Sequence, residues 1–283
     1  MTAALELARV TMRFGGLKAL SEFSLALQPG ELVGLIGPNG AGKTTAFNAI
    51  TGVYVPTEGE VKVAGEVVNG KRPHQICALG VARTFQNIRL FKELTALDNV
   101  RIACHARARS GFFHALFLTG RHRSEEARIV ARAEEYLEVM GLSHRAAEIA
   151  KGLPYGEQRR LEIARALATG PRVLCLDEPA AGMNAAEKSA LMELIRSIRD
   201  RFGLAILLIE HDMRVAMGVS ERMLVLDHGL TIAEGKPEAI RRDPKVIEAY
   251  LGDAYLQEQH IEVPQSAPPP RRGGEGRGEG DRS

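Results

Sequence analysis

The segment from Gly37 to Thr44 limits the possible folds of this chain more than any other segment does. It reads GPNGAGKT and fits the pattern G-x-x-x-x-G-K-[ST]. An apolar run, Leu32–Ile36, precedes it, and a stretch compatible with a helix follows it. In that setting glycines let backbone N–H groups turn around phosphates, Lys43 reaches the β- and γ-phosphates, and the Thr44 hydroxyl is placed to ligate Mg²⁺. The flanking strand and helix make a chance match a poor alternative. The sequence therefore predicts a site for ATP and Mg²⁺ built from Gly37, Asn39, Gly40, Gly42, Lys43, Thr44 and Thr45.

A pair of adjacent carboxylates follows a second apolar run. The residues Val173-Leu174-Cys175-Leu176 are typical of a buried parallel strand, and Asp177-Glu178-Pro179 comes directly after them. In an open α/β sheet, ligands bind at the carboxyl ends of the strands. We therefore predict that Asp177 helps to hold Mg²⁺ and that Glu178 polarises the attacking water, so that the chain is an ATPase. A solvated acidic turn would explain the charges but not the apolar run.

Three further segments stand in an order that one ATPase family shows. Gln86 lies in RTFQ, between the phosphate loop and the carboxylates; LPYGEQ, which starts at Leu153, opens a helical run; and His211 follows the apolar run Ala205–Ile209. Taken singly, they could be an exposed glutamine, a helix cap and a histidine at a strand end. Together they resemble the ATP-binding subunit of an ABC transporter, over about residues 5–252.

The resemblance implies an α/β fold: a P-loop NTPase core with a mainly parallel sheet and flanking helices, an antiparallel β subdomain and an α-helical subdomain. It implies that Gln86 senses Mg²⁺ and the membrane subunit, that His211 contacts the γ-phosphate beside Glu178, and that Phe14 stacks on adenine. The signature segment Leu153–Glu157 would close on the γ-phosphate held by a second subunit, with nucleotide contacts from Tyr155, Gly156 and Glu157.

Two residues depart from the family pattern. Pro154 replaces the usual signature serine and offers neither a hydroxyl nor an N–H group, although proline suits a first helical turn. Gly156 and the neighbouring N–H groups would then contact the phosphate, and one of two composite sites could be slower. Asn184 stands where an aspartate is common, which removes a salt-bridge partner from that loop.

Within the family, the chain is most similar to the first ATPase subunit of branched-chain amino acid importers, in residues 153–164, 177–184, 209–213 and 249–252. This likeness implies import of branched-chain amino acids or related small polar solutes. It also implies a second, different ATPase, two transmembrane permease subunits and, indirectly, a periplasmic or extracytoplasmic solute-binding protein as partners. The alternatives are the motor of a lipid or lipopolysaccharide exporter, which Pro154-Tyr155 disfavours, and a soluble non-transport ABC ATPase.

Composition limits the partners and the location. With 37 basic and 35 acidic residues, the net charge of +2 gives no broad attraction to nucleic acid. The apolar runs fall short of the ~20 residues of a membrane span, and no export signal is evident. Three cysteines without metal spacing suit a reducing compartment. We therefore expect a cytoplasmic protein, peripheral on the inner face of the cell membrane.

The motif order predicts how the chain is divided. Residues 1–253 form the ABC ATPase domain, with a helical subdomain inserted at about 88–160. Residues 254–283 are rich in proline, glycine and alternating charge, and this composition predicts a disordered tail. The resemblance also implies a groove for a permease helix between Gln86 and the helical subdomain. Leu90 and the apolar stretch Phe112–Leu118 are candidates for its lining.

Overall fold

The computed structural model describes residues 2–105 and 120–250. The expectations for Phe112–Leu118 and for the tail concern residues outside this part of the chain. The strands are β1 (Leu5–Phe14), β2 (Leu17–Leu27), β3 (Leu32–Ile36), β4 (Glu58–Val63), β5 (Glu66–Val67), β6 (Val81–Arg83), β7 (Val173–Asp177), β8 (Ala205–Ile209), β9 (Arg222–Asp227) and β10 (Leu230–Gly235). The helices are α1 (Lys43–Ile50), α2 (Pro73–Ala78), α3 (Ala96–His105), α4 (Gly120–Val139), α5 (Tyr155–Ala168), α6 (Ala185–Phe202), α7 (Met213–Val219) and α8 (Pro237–Ile240).

A four-stranded antiparallel sheet has the order β2-β1-β4-β5. Its strands alternate between buried and less buried residues, because successive side chains of a strand point to opposite faces. Leu5 pairs with Leu27 and Leu7 pairs with Leu25, and all four side chains are buried. The antiparallel β subdomain implied by the family resemblance is therefore present.

A six-stranded sheet has the order β10-β9-β3-β8-β7-β6 and is parallel except for the β9–β10 pair. Every residue of β3, β7 and β8 is buried, because both faces of this sheet are covered. Leu174 and Leu176 pack in the core that contains the helical residues, whereas Val173 and Cys175 pack in the core shared with the antiparallel sheet and α1. Burial of each large apolar side chain stabilises the fold by about 1.5–3 kcal/mol. This double coverage explains the continuous apolar runs of the sequence.

A group of helices packs against one face of the parallel sheet. Residues of α3, α4 and α5, among them Val100, Leu137 and Leu161, share one core with Leu174 of β7. Helix α5 ends at Ala168, a few residues before β7 begins. In the described residues, no helix combines the length and apolar character needed to cross a membrane. The predicted α/β class, with a parallel core, an antiparallel sheet and a helical part, is confirmed.

Strand register brings the predicted site segments to one edge of the parallel sheet. Asp177 pairs with Ile209 of β8, and Ile209 pairs with Leu35 of β3. The residues that follow these three strands therefore emerge side by side. They are Glu178 after β7, Glu210 and His211 after β8, and the phosphate loop after β3.

Candidate active site

The phosphate loop turns sharply between β3 and α1, and its glycines are required by close backbone contacts. Gly37 has φ +150°, and a Cβ there would lie 2.1 Å from the Leu226 carbonyl oxygen. Gly42 has φ +105°, and a Cβ there would lie 2.7 Å from the Ala19 carbonyl oxygen. Lys43 Nζ donates to the carbonyl oxygens of Gly37 at 2.7 Å and Pro38 at 2.8 Å, which closes the loop on itself.

The outer part of this loop is accessible to a ligand. Asn39, Gly40 and Thr44 are exposed, and Thr45 is half-buried. Helix α1 begins at Lys43 and has no acidic residue in its first turn, so the positive end of its dipole is not neutralised there. A loop of this form at a helix N-terminus is suited to bind phosphate groups.

Asp177 is buried at the end of β7 and forms an ion pair with Arg83, a residue not predicted to belong to the site. Arg83 Nη2 donates to Asp177 Oδ2 at 2.7 Å, and Arg83 Nη1 donates to Asn48 Oδ1 of α1 at 2.7 Å. Both members of the ion pair have side chains less than a tenth exposed. The only sequence signal for this role was a charged residue at the end of the short apolar run before Gln86. Arg83 thus joins β6, β7 and the helix of the phosphate loop.

Glu178 lies between the other two residues predicted to be catalytic. Gln86 Nε2 donates to Glu178 Oε2 at 2.9 Å, and His211 Nδ1 lies 3.6 Å from the same oxygen. Glu178 also has φ +45°, a left-handed conformation that is uncommon for residues other than glycine and that clusters at functional sites. The structure therefore brings together three side chains from three distant segments.

Glu210 is a second buried carboxyl group beside this site, and no local pattern in the sequence distinguishes it from an ordinary charged residue at a strand end. It is 1% exposed and accepts a hydrogen bond from the Ala180 N–H at 3.1 Å. Burial, with smaller contributions from the nearby Glu178 and Asp212 carboxylates, raises the pKa of Glu210 to about 7. In contrast, a hydrogen bond from Lys188 at 2.8 Å lowers the pKa of Asp212. The sheet edge therefore contains carboxyl groups with very different affinities for protons.

The signature segment belongs to a different element, the first turn of α5. Pro154 is the N-cap residue and makes no side-chain capping hydrogen bond, and Tyr155 is exposed beside Gly182. Glu157 Oε2 lies 3.0 Å from Arg145 Nε, so a positive charge accompanies this carboxylate. Gly156 is half-buried. The predicted nucleotide contacts of this segment thus lie on helix α5, not on the phosphate loop.

Phe14 and Asn184 occupy simpler positions. Phe14 ends β1, is 38% exposed, and packs edge-on against Tyr54 with ring centroids 5.0 Å apart. Its exposure is compatible with the predicted contact to a base. Asn184 caps α6, because its side chain accepts from the Glu187 N–H at 3.0 Å while Glu187 accepts from the Asn184 N–H at 2.9 Å. Asn184 therefore has a local helix-capping role that an aspartate could also fill.

The sheet edge also presents oxygen donors that suit a magnesium ion. The three candidate ligands are the Thr44 hydroxyl, the Asp177 carboxylate and the Gln86 amide, and Mg²⁺ prefers oxygen ligands of this kind together with substrate phosphates. In the described part of the chain, no group of three or more His, Cys, Asp or Glu residues has a metal-binding arrangement. The donor set therefore fits an ion shared with a nucleotide better than a cage formed by protein alone.

Comparison with known families agrees with this geometry. The family described as "ABC transporter" matches residues 20–181, which is more than half of the chain. The chain belongs to the ABC transporter family, as an ATP-binding subunit that hydrolyses ATP. The predicted family, enzyme class and nucleotide binding are therefore confirmed. A second family, described as "Branched-chain amino acid ATP-binding cassette transporter", matches residues 231–255.

Individual proteins are similar over nearly their whole length. The high-affinity branched-chain amino acid transport ATP-binding protein LivG of Escherichia coli (strain K12) is 48% identical over 243 residues, which are 86% of this chain and 95% of that protein. A crystal structure of an ATP-binding cassette of an ABC transporter in its ADP conformation is 31% identical, with a TM-score of 0.78, and covers 89% of this chain and all of that one. A dimeric cassette in a post-hydrolysis state, bound to ADP and Pi, is 28% identical, with a TM-score of 0.69, and covers 82% of this chain and 98% of that one.

Proposed function

We propose that this ATPase powers the import of branched-chain amino acids, as one of two ATP-binding subunits attached to the cytoplasmic face of a membrane permease. The observation that carries the proposal is the 48% identity to LivG over 95% of that protein. The match of residues 231–255 to a branched-chain amino acid transporter family supports the same substrate class. The chain itself would not contact the transported solute, so two transmembrane subunits and an extracytoplasmic binding protein complete the system.

In this function the phosphate loop binds the phosphates of ATP. The backbone N–H groups and Lys43 contact the β- and γ-phosphates, and Phe14 supports the adenine ring. Thr44, Asp177 and Gln86 would hold Mg²⁺, which supplies positive charge to the phosphates in the transition state. Arg83 keeps the Asp177 carboxylate in one orientation through the 2.7 Å ion pair. The loop and the end of β7 thus bind and orient the substrate.

Glu178 acts as the general base on the attacking water. Its Oε2 accepts a hydrogen bond from Gln86 and lies near His211, so the carboxylate is oriented from two sides. Its environment is only partly buried, with a side chain 18% exposed, and therefore leaves room for water. His211 contacts the γ-phosphate next to the base. General base catalysis of this kind contributes about 10²–10⁴-fold to a rate.

A complete site requires a second ATPase subunit. Tyr155, Gly156 and Glu157 lie on α5, where the helix N-terminus is suited to approach the γ-phosphate bound by the other subunit. The similarity to a dimeric cassette with ADP and Pi supports this arrangement. ATP then stabilises the closed pair of subunits. Hydrolysis removes the γ-phosphate contacts, and the pair of subunits reopens. The difference in the free energy of the closed pair between its ATP-bound and ADP-bound states drives the permease.

The substrate class is tested with the reconstituted transporter. The chain, its second ATPase, both permease subunits and the binding protein are incorporated into vesicles. We expect leucine, isoleucine and valine to stimulate ATP hydrolysis and to be taken up, with urea and short amides as controls. Stimulation by urea or an amide, without stimulation by leucine, would assign a different solute to the same motor.

The side of the chain that faces the permease is tested separately. Leu90 is half-buried against the helical core, and its neighbour Phe91 is 44% exposed with the Arg165 guanidinium 4.7 Å from its ring centroid. We expect Leu90→Asp to reduce co-purification with the permease while ATP affinity stays unchanged. Leu230→Asp, at an exposed position of β10, is the matched control. A lowered melting temperature in Leu90→Asp alone would instead identify Leu90 as a core residue.

A further inference from the structure

Arg159 of α5 is the largest of the fully buried side chains in the described residues. Burial of a guanidinium is costly unless ion pairs and hydrogen bonds satisfy it. Its ion-pair partner is Glu162, one helical turn further on, at 2.7 Å, and that carboxylate is only 5% exposed. Burial raises the pKa of Glu162, which shows that the site is unfavourable for an isolated charge. A buried ion pair of this kind is often no more stabilising than apolar residues of similar volume.

The other side-chain hydrogen bonds of Arg159 and Glu162 go to residues 85–89 or to Tyr155 in the signature turn. Arg159 Nη1 donates to the Phe85 carbonyl oxygen at 2.6 Å, and Nη2 donates to the Gln86 carbonyl oxygen at 2.7 Å. Glu162 Oε1 accepts from the N–H groups of Phe85 at 3.4 Å and Arg89 at 3.1 Å. Four backbone groups of residues 85–89 are thus bound by two side chains of α5.

The same segment carries the side chain that orients the proposed base. Gln86 directs its amide to Glu178 Oε2 at 2.9 Å, while its carbonyl oxygen accepts from Arg159. Arg159 Nη2 also lies 3.2 Å from the Tyr155 hydroxyl, in the signature turn of the same helix. A single guanidinium therefore connects the turn that meets the partner subunit with the backbone of the residue that contacts Glu178.

We propose that Arg159 and Glu162 are positioning residues for ATP hydrolysis: they hold Gln86 against Glu178 and tie this contact to the signature turn. A shift of α5 relative to the sheet moves residues 85–89 with it, because the pair binds their backbone rather than a flexible side chain. The Gln86–Glu178 contact therefore forms or breaks with the position of the signature helix. This inference depends on the proposed roles of Glu178 and Gln86.

The test uses the full-length chain in the assembled transporter, with steady-state ATP hydrolysis measured for Arg159→Gln, Glu162→Gln and Gln86→Ala. We expect kcat to fall by about tenfold to hundredfold in Arg159→Gln, since small misplacements of catalytic groups have effects of this size. Glu162→Gln keeps one acceptor oxygen and should cause a smaller loss. The KM for ATP should change by less than about twofold in both variants. The phosphate loop is intact in each, so ATP binding in the ground state should not be affected.

The decisive readout is the double variant Arg159→Gln/Gln86→Ala. If Arg159 acts through Gln86, the double variant should be no slower than the slower single variant, because coupled residues are not additive. Arg199→Gln is the matched control: it removes the ion pairs of Arg199 of α6 with Asp200 of the same helix and with Glu221 just before β9, and it should leave kcat unchanged. If Arg159→Gln does not fold, the double variant Glu162→Gln/Gln86→Ala and its two single variants provide the same comparison.

Three results would overturn the inference in distinguishable ways. Losses that multiply in the double variant, with Gln86→Ala itself slow, would show that the pair does not work through Gln86, and the proposed role of Gln86 would remain. Normal kcat in Gln86→Ala would contradict the proposed role of Gln86, and with it the inference that Arg159 and Glu162 position Gln86. A raised KM with unchanged kcat in Arg159→Gln would likewise show that the pair serves binding or stability rather than positioning.

Discussion

The carboxyl edge of the parallel sheet and the first turn of α5 both meet phosphate in the proposed function, yet they are built differently. At the sheet edge, charged side chains are buried and paired: Asp177 with Arg83, and Lys43 with the carbonyl oxygens of its own loop. At the first turn of α5, Pro154 offers no side-chain cap and Tyr155 is exposed.

In the proposed function, this difference predicts where each site would obtain its binding energy. The edge would depend on particular side chains, which are oriented by burial and by hydrogen bonds within one subunit. The turn of α5 would depend on backbone N–H groups and on the helix dipole, which survive a change of side chain. We therefore expect large effects from substitutions at the edge and small effects from substitutions at the turn.

The largest effect is expected at the edge for Glu178→Gln. This change removes the proposed base but retains an oxygen that can accept the hydrogen bond from Gln86 Nε2. Turnover in the assembled transporter should fall by about 10²–10⁴-fold, while ATP binding is retained. The measurements are steady-state hydrolysis and the ATP-dependent association of the two ATPase subunits.

Asp177→Asn is the neighbouring control for that variant. It should weaken the dependence of activity on Mg²⁺ as well as the rate, because Asp177 is assigned to the metal and is paired with Arg83. Normal hydrolysis by Glu178→Gln in the complete complex would refute the assignment of the base and remove the main contrast between the two regions.

Glu210→Gln should change stability at the edge in a pH-dependent way. The folded state raises the pKa of Glu210 from 4.5 to about 7, so it holds this proton more tightly than the unfolded chain. The resulting stabilisation is fully present below pH 4.5 and is lost as the pH rises through about 7. The glutamine does not titrate and keeps an acceptor for the Ala180 N–H, so the variant should be more stable than the parent at pH 8, by up to about 3 kcal/mol.

Chemical denaturation at pH 5, 6, 7 and 8 measures this difference. Burial also raises the pKa of Glu162. The difference between parent and variant, rather than the pH profile of either alone, therefore isolates Glu210. A difference that does not change between pH 5 and pH 8 would show that Glu210 titrates as an ordinary carboxyl group.

Pro154→Ser tests the tolerance of the turn. A serine N-cap should stabilise α5 by about 1 kcal/mol through a hydrogen bond to the helix N-terminus. Turnover should change by less than about threefold, because the backbone groups are assigned the phosphate contact. A rise of tenfold or more would mean that a side-chain hydroxyl matters there, and that Pro154 does slow one composite site.

Glu157→Gln is expected to have the smallest effect. The change removes a carboxylate from the first turn of α5 and its ion pair with Arg145, and a solvent-accessible ion pair of this kind contributes little to stability. Thermal unfolding and ATP-dependent subunit association should both stay close to those of the parent. A loss of association of tenfold or more would place Glu157 among the groups that contact the partner's nucleotide directly.

Much of this edge was predictable because its signals are local. The phosphate loop is recognised from eight consecutive residues, and Asp177-Glu178 from its position directly after a continuous apolar run. Sheet strands buried on both faces need such runs, so β3, β7 and β8 could be recognised as core strands. Gln86 and His211 were found from their order along the chain, and not from any contact that the sequence displays.

The contacts of Arg83, Arg159 and Glu210 were not predictable in the same way. Arg83 meets a residue 94 positions away, and Arg159 binds carbonyl oxygens 73 and 74 positions away. In the sequence, each of these residues is an ordinary charged side chain on a strand end or a helix. Their partners depend on which strands are neighbours and on which face of α5 packs against residues 85–89.

The sequence by itself indicated the nucleotide loop and the two carboxylates, because these follow from residue type and spacing over a few positions. The order of its motifs along the chain carried the resemblance to the protein family. Tertiary structure alone decided that Gln86 and His211 meet on Glu178, that Arg83 restrains Asp177, and that Arg159 joins the signature turn to Gln86. The physical reason is that a hydrogen bond requires atoms about 3 Å apart. Hydrophobic periodicity specifies which face of an element is buried, but strand order and register decide which polar groups reach that distance.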